Sequence, residues 1–101
     1  MRKPITDAAE VSIEFPDKAY LGYFHRDSTY EVERERDAIA VKLVHPGDDK
    51  RVASFHLHDY LLADVLSATA DCLENAEIAA PQRAALAEAA AKLSAILRDH
   101  S

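Results

Sequence analysis

The hydrophobic period of this chain changes near His58. Before it, apolar residues alternate in short runs; after it, they recur three and four apart. A period of two followed by a period of 3.6 predicts an antiparallel sheet and then amphipathic helices, the order of an α+β domain. The expected order is βββββαα: a β-meander of about five strands, covered on one face by an antiparallel hairpin of two C-terminal helices. With 101 residues, a single core is the simplest arrangement. One α+β domain over 11–101 is therefore expected, with 1–10, which shows no period, as a loose lead-in.

Strands are expected where Val11, Ile13 and Phe15 alternate with polar residues up to Pro16-Asp17, and over 19–24, 29–34 and 38–44. If His25-Arg26-Asp27-Ser28 is a hairpin loop, Phe24 faces Thr29, Tyr23 faces Tyr30 and Leu21 faces Val32. A tight turn at Glu35-Arg36 then sets Val32 against Ile39 and Tyr30 against Val41. After Pro46-Gly47-Asp48-Asp49, an even loop would split the apolar face. An odd register, with Leu43 opposite Ala53, Val41 opposite Phe55 and Ile39 opposite Leu57, keeps it whole. Leu21, Tyr30, Val41 and Phe55 should then be lodged beneath the helices.

From Asp59, the residues Leu61, Leu62, Val65, Leu66, Thr69, Cys72, Leu73 and Ala76 form one helical stripe, with His58 or Asp59 as its cap. Cys72 on that stripe should be a small buried or half-buried thiol. Residues 75–80 read as a connection. Pro81 suits the first turn of a second helix, whose stripe is Leu86, Ala89, Ala90, Leu93, Ile96 and Leu97.

The same register assigns Gly22, Glu31, Ala40 and His56 to one row of the outer sheet face, flanked by Tyr20, Glu33, Phe24, Thr29, Lys42 and Ser54. Small residues in that row suggest a shallow depression edged by Tyr20, Glu31, Lys42 and His56. Glu31 and His56, one strand apart, would start roughly 10 Å from each other, too far for direct proton transfer. A solvated face of mixed charge is the plainer account. Tyr20, Phe24, Val44 and Val52 on the same face make a partly apolar surface suited to a protein partner.

His56-x-His58-Asp59 is a common metal-ligand set, but the strand should end between the histidines and no second cluster follows. Helix capping explains it better, and no metal or cofactor is expected. Asp64, Asp71 and Glu74, with Ser67, form an acidic helix face that is either solvated or a docking strip for a basic partner.

The formal net charge of −6 repels phosphate. Residues 1–57 carry nine basic and eleven acidic side chains, and 58–101 carry three and seven, so the helical half is the more acidic. Arg26, Arg34, Arg36, Lys50 and Arg51 are offset by neighbouring Asp and Glu, so nucleic-acid binding is disfavoured. Neither a secretory leader nor a membrane span is apparent, and the single cysteine suits a reducing cytoplasm. No nucleophile motif surrounds Ser54, Ser67, Ser94 or Cys72.

These features favour a small cytoplasmic, non-catalytic protein-binding module, such as a regulator, inhibitor or immunity-type factor. It would act through its open sheet face or acidic helix face, and its partner could be a second copy of itself. A small-molecule binder or enzyme using the sheet-face depression is the alternative; a nucleic-acid binder is a more distant one.

Overall fold

The computed structural model describes residues 2–47 and 51–99. It is an α+β protein with six strands in antiparallel sheets followed by two helices: β1 (Lys3–Pro4), β2 (Ala9–Phe15), β3 (Lys18–Phe24), β4 (Thr29–Arg34), β5 (Ala38–His45), β6 (Arg51–His58), α1 (Asp59–Leu73) and α2 (Ala80–Asp99). It divides into two compact units, Met1–Ser67 and Ala68–Ser101.

In the first unit, a four-stranded sheet has the order β1-β4-β5-β6, and β2-β3 is a separate two-stranded sheet. The β5/β6 register is the odd one expected: Leu43 pairs with Ala53, Val41 with Phe55 and Ile39 with Leu57. The pairing of His45 with Arg51 encloses residues 46–50, an odd loop that keeps the apolar positions on one side. Gly47 supplies a φ of 112°, open to glycine without steric cost. Asp48, Asp49 and Lys50 lie outside the described residues.

Two expected pairings are corrected. Val32 faces Val41 and Tyr30 faces Leu43, a shift of two residues along β5. The turn centres on Arg36-Asp37, where the Glu35 amide donates to the Ala38 carbonyl at 2.9 Å. Because the slip is two residues, every side chain keeps its face. The second correction is larger, for β3 does not pair with β4. It pairs with β2 across the Pro16-Asp17 turn, and β1 takes the place beside β4 through Lys3–Tyr30 and Pro4–Thr29.

The physical reason lies in Phe24. Released into a separate sheet, it is 1% exposed, and Val44 at the same end of β5 is 5% exposed. Both were expected on the open face and are instead the core, with Ala38. Full burial of such a ring contributes about 2–3 kcal/mol, which outweighs the register expected from alternation alone. Ser28, also buried, closes the turn by donating its amide to the His25 carbonyl at 2.9 Å. At Gly22 a Cβ would lie 3.3 Å from the Tyr20 ring, a tight contact that the ring would have to relieve by moving a few tenths of an ångström.

The side chains expected to be lodged inward are only partly covered. Leu21 keeps 47% of its exposure because β3 has left the larger sheet, and Phe55 keeps 43% because β6 is an edge strand with no neighbour beyond it. Tyr30 and Val41 are intermediate.

The helices begin as expected at Asp59 and with Pro81 in the first turn of α2. Asn75, at φ 65°, turns the chain after α1, and Ala76 donates to the Leu73 carbonyl at 3.1 Å. No described residue of either helix is buried. Cys72, expected on a buried stripe, is exposed. α2 holds its form largely through composition, with eight alanines among its 20 residues and Arg98 favourably placed in the last turn.

Phe24→Ala should therefore lower the unfolding free energy by about 3–5 kcal/mol, and Leu21→Ala by well under half as much. Equilibrium urea denaturation checks this, and equal losses would mean that the assignment of the β3 faces is wrong.

Candidate functional site

Register puts Thr29, Glu31 and Glu33 of β4, Ala38, Ala40, Lys42 and Val44 of β5, and Val52, Ser54, His56 and His58 of β6 on one side of the four-stranded sheet. Ala40 is the smallest residue in the middle of this face. Glu31, Glu33, Glu35, Ala40, Lys42, Ser54 and His56 line a shallow depression of about 90 Å³ around it.

Six of these residues were expected together or beside one another: Glu31, Glu33, Ala40, Lys42, Ser54 and His56. The rows differ by the two-residue shift, so Glu33, rather than Glu31, lies in line with Ala40 and His56, while Glu31 pairs with Lys42. Tyr20 does not border the depression, because it sits on β3 in the other sheet, where its ring covers Gly22. Phe24 and Val44 are buried and offer no surface, whereas Val52 is exposed. Asp64, Asp71 and Glu74 are all exposed, Glu74 in the turn just past α1.

Glu35 is the residue that sequence reasoning assigned only to a turn. Its Oε2 lies 3.1 Å from His56 Nδ1. A signal was present, since Glu31, Glu33 and Glu35 alternate in one strand and its continuation, and alternation puts them on one side. Two more imidazoles face carboxylates, His58 with Asp37 at 3.5 Å and His45 with Asp27 at 3.4 Å. Each becomes an ion pair when the ring is protonated. His56 and His58 thus face separate acids, and among the described residues no group of three or more His, Cys, Asp or Glu is placed to hold a metal ion.

Glu31 and Glu33 interact directly. Their hydrogen bond holds the Glu31 carboxyl below its ordinary range and raises that of Glu33, which also feels the Glu31 charge. In that arrangement Glu33 keeps its proton longer and donates it to Glu31.

At the other end of β4, Arg34 grips Asp59 with two bonds, Nη1 to Oδ1 at 2.7 Å and Nη2 to Oδ2 at 3.1 Å. The Asp59 amide donates to the Asp37 carbonyl at 3.0 Å, so the first residue of α1 is tied to β4 and to the β4–β5 turn. The guanidinium lowers the Asp59 carboxyl below the usual range. Arg34 is thereby engaged with protein, which removes one cation from the basic edge.

In the second unit, Arg83 Nη2 donates to the Ala76 carbonyl at 3.2 Å, and Leu73, Ile78, Arg83, Leu86 and Ala87 surround an open apolar groove of about 240 Å³. Sequence reading missed it, because it depends on how the connection folds back. Both concavities are smaller than the roughly 300–1,000 Å³ of typical small-molecule sites.

No family model matches the chain, and neither a curated protein nor a solved structure matches it.

Two consequences are measurable. Asp59 has a depressed carboxyl, so its stabilising contribution is complete above the unfolded value near 3.8 and is lost as pH falls through the lower folded value. The melting temperature of Asp59→Asn should lie below that of the parent at neutral pH, and the gap should close under strong acid. Glu33 has the opposite sign: its raised carboxyl favours the fold below the ordinary value of 4.5, and the advantage disappears as pH rises through the higher folded value. Glu33→Gln should accordingly raise the melting temperature at pH 7, because it removes one of two like charges from the exposed pair. No gain at neutral pH would refute the carboxyl pair.

Proposed function

We propose that this chain is a small, non-catalytic protein-binding module. The observation that carries the reading is how little apolar material the chain buries by itself. Phe24, Ala38 and Val44 are its buried hydrophobic residues among those described, while Val32, Phe55, Leu61, Val65, Leu86 and Leu97 are among the large ones left exposed. Each such side chain gains about 1.5–3 kcal/mol on full burial, so a partner that covers several of them has a strong driving force.

The polar face supports the same reading by its dimensions. A depression of about 90 Å³ has room for a few waters, and its carboxylates are bonded to one another or to an imidazole. An acidic rim of this kind steers association and selects partners more readily than it encloses a substrate. It also disfavours phosphate. Among the described residues, no helix is long and apolar enough to cross a membrane.

Native mass measurement of the protein drawn from the cells that make it should find it in an assembly heavier than the 11.2 kDa chain. A solitary chain at both low and high salt would end this reading.

A further inference from the structure

We infer that β6 is the seam for a second copy of this chain, the two strands pairing antiparallel about a two-fold axis through Phe55 to join two four-stranded sheets into one of eight strands. The inference rests on the protein-binding reading and names the partner.

β6 pairs with β5 on one side only. Its eight residues, Arg51-Val-Ala-Ser-Phe-His-Leu-His58, contain no proline, lysine or carboxylate, and Val52, Ser54, Phe55, His56 and His58 are exposed. Edge strands of this length usually carry a charge, a proline or a cover that prevents pairing. Arg51, at the very start, is the only residue of the strand with a permanent charge.

Charge separates this edge from the others. A β2 strand paired with itself about Ser12 would set Glu10 against Glu14 of the second copy. A β4 strand paired about Val32 would set Glu31 against Glu33. Like charges directly opposite destabilise a ladder. The open side of β3 runs through Gly22 and Phe24, which the first unit already buries. For β6 the same operation, centred on Phe55, sets Arg51 opposite Asp59 of the second copy at both ends of the seam. Arg51 Nε is itself buried without a hydrogen-bond partner among the described residues, so this contact falls to the rest of the guanidinium.

Parity requires the axis to pass through a residue, and Phe55 is the one that opposes Arg51 to Asp59. Centring on a residue pairs Ala53 with Leu57 and Phe55 with Phe55, so the apolar positions of both copies stay on one side. Ser54 then meets His56 on the other. A register one residue away would set Phe55 against Ser54 or His56 and mix the two faces. The half-exposed Phe55 becomes the centre of a ring pair, a contact worth more than its area alone.

Sedimentation of the purified chain should give a mass twice 11.2 kDa. Residues paired across a two-fold have Cα atoms roughly 4.5–5.5 Å apart, within disulfide range. In a Cys72→Ser background, Phe55→Cys should therefore form a covalent dimer with oxidised glutathione, and Leu21→Cys, equally exposed but on β3, should not. Arg51→Glu should weaken the dimer about tenfold while leaving the circular dichroism unchanged. A monomer that gives no crosslink from Phe55→Cys overturns the seam; the wider reading then stands or falls on whether a different protein co-purifies. A dimer in which Phe55→Cys stays reduced and Arg51→Glu is without effect also overturns the seam, but keeps the wider reading through another surface.

Discussion

β5 is the strand on which the other positions depend. It pairs with β4 on one side and with β6 on the other, and each pairing has a register that keeps alternate residues on matching faces. A slip of one residue at the β5/β6 ladder would carry Lys42 to the side of Phe55, and one at the β4/β5 ladder would carry it to the side of Val32, away from the carboxylates of β4. The odd number of residues between His45 and Arg51 and the two-residue turn at Arg36-Asp37 are the local features that prevent it. The Arg34–Asp59 pair then ties the start of α1 to the end of β4, so the strand-to-helix transition begins at a defined place.

The polar face gathers its acids because one side of β4 and its continuation carries Glu31, Glu33 and Glu35. Their charges are accommodated in different ways. Glu31 lies against Glu33 and raises its carboxyl above the ordinary range, Lys42 stands across from Glu31, and Glu35 meets the His56 ring. The opposite face is apolar and incompletely covered, and the stripes of α1 and α2 remain open to solvent. A helix with eight alanines persists on its own propensity, but exposed Leu93, Ile96 and Leu97 are costly to leave in water. Among the described residues many more large apolar side chains are exposed than buried, and this surplus is what motivates the proposal of a partner.

Much of the architecture was legible because it follows from period and turn chemistry. The change near His58, the strand limits Thr29 and Arg34, the β5/β6 register and the position of Pro81 are all consequences of local sequence. Glu31, Lys42, Ala40 and His56 could be assigned to one face for the same reason, since a strand alternates whatever its neighbour. Glu35 was missed because it sits beyond the strand end, where alternation was not carried on. Tyr20, Phe24 and Val44 were misplaced because alternation gives two faces but does not say which of them the core adopts.

The sequence by itself determined the α+β order, the odd count of residues between β5 and β6, and the separation of Glu31 and Glu33 from Val32, Val41 and Phe55, because each depends on spacings of a few residues along the chain. Tertiary structure alone decided that β2 and β3 form a sheet of their own, that β1 lies beside β4, and that Phe24 and Val44 are buried while Leu21 and Phe55 stay half open. Those outcomes compare the burial of one ring with the hydrogen bonds of an alternative ladder. That comparison involves residues far apart in the chain, and no local pattern encodes it.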